Sequence, residues 1–163
     1  PESIACSGGS ELPSLNWDNT PVDTQELAIS LVDYTNFEEP LLVWLATGIA
    51  PNKTSFNPSS PPQDFVETQN DWGSTGFGSP CVESIDPENS NLTRDLQFRI
   101  YALSSDSGIL QDAHGNDSWN EVKAKSFESA AILMRYFPNG GFTQATSEGS
   151  ELIEAQSTEL EEE

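Results

Sequence analysis

The chain has little positive charge. Its 163 residues carry 6 Lys and Arg against 27 Asp and Glu, a formal net charge of −21. That balance argues against a nucleic-acid partner, because phosphates require basic residues. It also argues against charge-driven docking on anionic membrane surfaces. It fits a highly soluble protein, and salt would screen the self-repulsion of so many carboxylates. No apolar run approaches the ~20 residues of a membrane-spanning helix, and the first residues carry no signal-peptide pattern. The start at Pro1 fits either removal of a leader or truncation. Histidine occurs once and cysteine twice. A zinc site with several His or Cys ligands is therefore not available, and two cysteines are too few for a disulfide-framework domain. No serine lies in a Gly-x-Ser-x-Gly elbow, and His114 sits in a turn-rich stretch. The sequence thus offers no catalytic residue and calls for no cofactor.

What is present is enough chain for one domain with a real core. Hydrophobic content of 35% is below the globular average, so the core should be modest and the loops long. Residues 26–33 read as a strand, with Leu27, Ile29 and Leu31 on one face and Ala28, Ser30 and Val32 on the other. Residues 41–46 form a continuous apolar run, as in a central strand buried on both faces. Residues 50–69 are rich in Pro, Ser, Asn and Thr and read as a long irregular excursion. Leu96, Phe98 and Ile100 alternate with Gln97, Arg99 and Tyr101, the period of a half-buried strand. Arg94 falls on the Leu96–Phe98 face, where it is either an anion clamp or an ordinary ion pair.

Ser118-Trp-Asn-Glu121 has capping-box form and predicts the start of a helix. Val122, Ser126, Ala130, Leu133 and Phe137 follow at helical spacing, and Pro138 with Gly140-Gly141 would stop it. From Thr143 the chain is polar and ends Glu-Leu-Glu-Glu-Glu. This suggests a domain over residues 1–142 and an acidic, flexible tail over 143–163, with a frayed helix between 148 and 160 as an option.

Residues 70–81, Asn-Asp-Trp-Gly-Ser-Thr-Gly-Phe-Gly-Ser-Pro-Cys, are the most informative stretch. The run reads either as a tight surface connection or as a turn whose amides converge into an anion-holding concavity. Asp112, His114 and Asn116 have calcium-loop spacing, but Asp117 stands where that loop needs Gly and Lys123 where it needs Glu. No metal site is assigned. Three glycosylation triplets, at Asn52, Asn91 and Asn116, matter only in a secretory host.

The 70–81 run resembles the pocket loop of the phosphatidylethanolamine-binding protein (PEBP) family, most closely its bacterial Raf-kinase-inhibitor-like branch. Two further stretches resemble that branch in the same order: Cys6 to Trp17, ending Leu-Pro-Ser-Leu-Asn-Trp, and Phe98-Arg-Ile-Tyr-Ala-Leu103. Together they cover roughly residues 6 to 137. The resemblance implies a mainly β fold with few helices, a β-sandwich with a C-terminal helix packed against it. It implies a non-enzymatic binding protein whose small pocket, at one end of the sandwich, holds a phosphate- or carboxylate-bearing head group. Carried onto this chain, the pocket comprises Asp33, Val43, Trp44, Gly76, Phe77, Gly78, Ser79, Pro80, Cys81 and Arg94.

The chain departs from the family at the pocket. Of the family's Asp-Pro-Asp-x-Pro only Asp33 is kept, Val43 stands where a histidine is expected, and Arg94-Asp95-Leu96 replaces His-Arg-Tyr. Fewer donors remain to hold a dianion. Arg94 either compensates, because a guanidinium forks onto phosphate or carboxylate, or closes the pocket by pairing with Asp33 or Asp95. The alternative function is a protein-interaction or kinase- or protease-inhibitor-like module with a vestigial pocket, its acidic surface suited to a basic partner. Hydrolase activity ranks last. The resemblance also places Cys6 and Cys81 near the same end of the sheet, so a bridge and two buried thiols both stay open. A secreted or periplasmic setting is favoured.

Overall fold

The computed structural model describes residues 12–36, 38–78, 93–137, 141–148 and 153–154, with residues 136–137 and the last two stretches as backbone. Its strands are β1 (Leu15–Trp17), β2 (Glu26–Asp33), β3 (Leu41–Ile49), β4 (Ser55–Phe56), β5 (Val66–Glu67), β6 (Arg94–Leu103), β7 (Ser126–Phe137), β8 (Gly141–Glu148) and β9 (Ile153–Glu154). Helix α1 spans Gly115–Lys125. The strands form a six-stranded sheet in the order β5-β3-β2-β6-β7-β8 and a three-stranded sheet in the order β4-β1-β9. All the pairings are antiparallel.

The period-2 pattern of β2 sets the layers. Leu27, Ile29 and Leu31 join Leu96, Phe98 and Ile100 of β6 in an inner core, closed from the other side by Leu15, Trp17 and Phe56 of the small sheet. Ala28 and Val32 point the other way, where Trp119 and Val122 of α1 cover them. Each face of β2 is thus buried by a different partner, and the whole strand is buried. Trp44 reaches across the inner core to Phe56, with ring centroids 5.1 Å apart.

The apolar run at 41–46 is a central strand, as expected, but it does not alternate cleanly. The register shifts between Leu31 and Val32, so Val43 and Trp44 both serve the inner core while Leu42 and Leu45 serve the outer one. An extra residue at this point is a β-bulge, which re-aims the strand locally.

The predicted helix requires correction. Helix α1 begins at Gly115 with His114 as its N-cap residue and no side-chain cap bond, so Ser118–Glu121 lie inside it. A Cβ at Gly115 would fall 1.9 Å from the Gln69 carbonyl oxygen, which demands glycine there. The helix ends at Lys125, and Ser126–Phe137 is not helical: it is β7, paired with β6 from Arg94↔Tyr136 to Leu103↔Ser126. Residues 130–134 are all apolar, so either period fits them. Pairing with a strand distant in sequence decides the outcome.

Strand β8 pairs with β7 from Ala131↔Glu148 to Phe137↔Gly141, and so continues the sheet into residues 143–148, the first part of the stretch read as a tail. The short β9 pairs with β1. Backbone hydrogen bonds suffice for an edge strand, whatever its polarity. The excursion at 50–69 contains β4 and β5, and the Trp17 indole N–H anchors it on the Lys53 carbonyl at 2.8 Å.

Candidate functional site

Asp33 closes β2 and Arg94 opens β6. The ladder pairs Asp33 with Leu96, and alternation puts Arg94 on the same inner face two residues earlier. Arg94 Nη1 lies 2.9 Å from Asp33 Oδ2, with the two side chains 11% and 3% exposed. Thr35 holds the other carboxylate oxygen, since its backbone N–H and its hydroxyl both donate to Asp33 Oδ1. The same hydroxyl accepts from the Asp95 backbone N–H. Asp95 in turn takes Arg135, whose Nε sits 2.7 Å from Oδ1. Of the two carboxylates open to Arg94, the structure selects Asp33. The choice leaves one loose end: Arg94 Nε is buried with no acceptor among the described residues.

The glycine run lies against the edge of β3 at the same end. Asp71 pairs with Leu42, its amide donating to the Leu42 carbonyl at 3.0 Å and its carboxylate accepting the Leu42 N–H at 2.6 Å. The Gly78 amide donates to the carbonyl of bulged Val43 at 2.9 Å. Gly78 must be glycine because a Cβ would sit 2.5 Å from the Trp72 ring. Gly76 has φ +84° and its amide bonds the Thr68 carbonyl. Phe77 is half-buried and packs on the inner core.

Buried Asn70 organises the turn. Its side-chain oxygen accepts from the Trp72 and Ser74 amides, and its Nδ2 donates to the Gly76 carbonyl at 3.0 Å. Of the two readings of the run, the tight connection fits its described part: the amides of Trp72, Gly73, Ser74, Gly76 and Gly78 all have internal acceptors. Asn70 satisfies the turn from within, which is what an Asx side chain does best.

Trp44 is fully buried, and its indole N–H donates to Glu67 Oε1 at 2.6 Å. It is thus tied to the core and to β5. Ser79, Pro80 and Cys81 lie outside the described residues, as does Cys6, so the pairing of the two cysteines stays with the sequence. The weak calcium pattern does not assemble: Asp112 accepts from the Thr75 hydroxyl, Asn116 donates to Asp71, and no metal-holding group of acids occurs among the described residues. Sequence reasoning missed Thr35, Asn70 and Glu67. For Thr35 the signal was available, since a hydroxyl two residues after an Asp is a recognised local acceptor–donor pair.

The family model for phosphatidylethanolamine-binding protein matches residues 1–137. The chain belongs to this family. Among PEBP relatives, a UPF0098 protein of Methanothermobacter thermautotrophicus is 28% identical over 141 residues, covering 83% of this chain and 89% of that protein. The UPF0098 protein YbcL of Escherichia coli is 26% identical over 114 residues, 63% of this chain and 58% of its own length. In three dimensions, the crystal structure of Escherichia coli YbcL, described as a new member of the mammalian PEBP family, superimposes with a TM-score of 0.73. It is 22% identical and the match covers 84% of this chain and 89% of that one. A PEBP homologue from Chlamydia trachomatis, CT736, gives 0.68 at 16% identity, covering 83% and 87%. These likenesses establish the PEBP fold: a mainly β body with one helix among the described residues. They leave the chemistry of the pocket to this chain's own residues.

Proposed function

We propose that this PEBP-family protein is a non-catalytic binding protein that takes a small polar or anionic ligand at the end of the six-stranded sheet. The observation that carries the reading is Arg94. One end of its guanidinium is held by Asp33, and its buried Nε has no acceptor among the described residues. An orphaned buried donor costs about 1–3 kcal/mol, and in native proteins such a group usually answers to a water, ion or ligand. A phosphate- or carboxylate-bearing head group would supply the acceptor. Because Asp33 already neutralises the arginine, the site suits a ligand held by hydrogen bonding more than a dianion held by charge. Val43, standing where the family resemblance calls for histidine, makes the floor apolar and points the same way.

The test is nuclear magnetic resonance of the full chain with acetate, phosphate and phosphoethanolamine. The Arg94 Nε–H signal and the amides of Gly76 and Gly78 should shift saturably with at least one probe, and D33N/R94Q should abolish the effect. Saturating probes that leave all three signals in place would overturn the reading.

One observation favours the second reading, a protein-interaction or inhibitor-like module with a closed pocket. The Asp33–Arg94 pair satisfies both charges internally. With a net charge of −21, such a module would prefer a basic partner and release it as salt rises.

A further inference from the structure

The outer face of the six-stranded sheet carries an open groove between β6, β7 and α1, with a volume of about 460 Å³. That lies within the ~300–1,000 Å³ typical of small-molecule sites. Strand alternation explains the lining. Leu96, Phe98 and Ile100 face the inner core, so Arg99 and Tyr101 face outward, and Ser129 stands opposite Tyr101. Helix α1 supplies Trp119 and Lys123, four residues apart on one face, and Phe127 at the start of β7 is 48% exposed.

The charges in this groove are unusual for so acidic a chain. Of the 6 Lys and Arg, Arg94, Arg135 and Lys125 pair with Asp33, Asp95 and Glu121. Arg99 instead bonds neutral groups, its Nε to Gln97 Oε1 at 3.1 Å and its Nη1 to Ser129 Oγ at 2.9 Å. Lys123 holds its ammonium 3.8 Å from the Trp119 ring centroid and has no carboxylate partner among the described residues. Glu128 borders the groove, but the register pairs it with Ala102 of the inner core, so alternation directs its side chain away from Arg99. Two cations without acid partners among the described residues thus share one groove in a protein where acids outnumber bases, 27 to 6.

The largely buried aromatic floor of the groove is held in place. Trp119 Nε1 donates to the Tyr101 hydroxyl at 2.9 Å, and that hydroxyl also bonds buried Ser30 Oγ at 3.1 Å. A planar guanidinium beside ordered rings suits a planar ligand with an anionic edge. We propose that the groove is a second binding site, separate from the sheet-end pocket, and that it takes a small aromatic carboxylate. The carboxylate lies between Arg99 and Lys123, and the ring lies against Trp119 and Phe127.

The experiment titrates the isotope-labelled full chain with naphthalene-2-carboxylate, with the uncharged naphthalene-2-methanol, and with acetate. The carboxylate should shift the Trp119 Nε1–H and the Ser129 amide saturably, and bind at least tenfold more tightly than either control. Arg99→Gln and Lys123→Gln should each weaken it about tenfold. That is the loss expected when one charge-assisted hydrogen bond goes. Lys123 lies on the helix surface, so its variant keeps the test decisive even if Arg99→Gln fails to fold. Equal binding of the alcohol overturns the proposal, as does unchanged affinity in both variants. Shifts confined to Gly76 and Gly78 would overturn it too, because they would assign the ligand to the sheet-end pocket.

Discussion

The two faces of the large sheet use their arginines differently. On the inner face, at the end of the sheet, Arg94 is nearly buried and bound to a carboxylate that is itself held by Thr35. On the outer face, Arg99 is half-buried and bonds a neutral amide and a hydroxyl. The two residues lie five apart in one strand, and an odd spacing in a strand means opposite faces. Position along β6 therefore separates an arginine paired with a buried carboxylate from one that bonds neutral groups. In a chain with so few cations, that division limits where an anion can be held.

The largest expected effect breaks the inner pair. Arg94→Leu leaves Asp33 charged and buried, and such a loss destabilises by about 3–5 kcal/mol. Urea denaturation should show it as a lower midpoint with an unchanged slope. Removing both charges together in D33N/R94Q should recover most of that loss.

Gly78→Ala should come next. It drives a methyl group into the Trp72 ring and the Asn70 amide, an overpacking that typically costs about 1–3 kcal/mol. Thermal unfolding would report it. Tyr101→Phe should cost a similar amount, about 1–3 kcal/mol, by leaving the Trp119 N–H and the Ser30 hydroxyl without the oxygen they share. Tyr101 thus belongs to the rigid frame of the outer groove.

The outer cations should matter least to stability. Lys123→Gln is expected to stay within about 0.5 kcal/mol of the parent, as a substitution on the helix surface does, and Arg99→Gln, which gives up two hydrogen bonds, to cost about 1 kcal/mol. A loss as large as that of Arg94→Leu would erase the contrast between the two faces.

Tyr34 adds a pH test at the edge of the outer groove. Burial, then the nearby Tyr101, push its phenol above the ordinary tyrosine range, while Arg99 pulls it down. A folded pKa raised above the unfolded one of about 10 stabilises the fold below that pH, and the contribution is lost as pH rises through the folded value. Absorbance titration should show Tyr34 ionising later than a free phenol, and later still in Arg99→Gln.

Much of this was readable in the sequence. The faces of β2 and β6 followed from strict alternation, and Asp33 and Arg94 lie where that alternation put them. The β7 segment was not readable, because residues 130–134 are apolar at every position and only the β6 ladder tells a strand from a helix. The glycine run was legible as a turn, but its amides were not. Their acceptors are Asn70, Thr68 and Val43, and nothing local announces that a buried asparagine will engage them. The choice of Asp33 over Asp95 was equally hidden, since Asp95 is the nearer in sequence and is taken by Arg135 from a neighbouring strand. The family resemblance gave the fold, while the candidate pocket residues it names depart from the family at Val43 and Arg94, so their chemistry rests on this chain alone.

The most direct measurement is a double-mutant cycle on Asp33 and Arg94, using Asp33→Asn and Arg94→Gln in urea unfolding. The two losses should fall short of additivity by about 1–3 kcal/mol, the coupling of a buried, hydrogen-bonded pair. Losses that add to within about 0.5 kcal/mol would mean that Arg94 is not engaged by Asp33, and the contrast between the inner and outer arginines would fail.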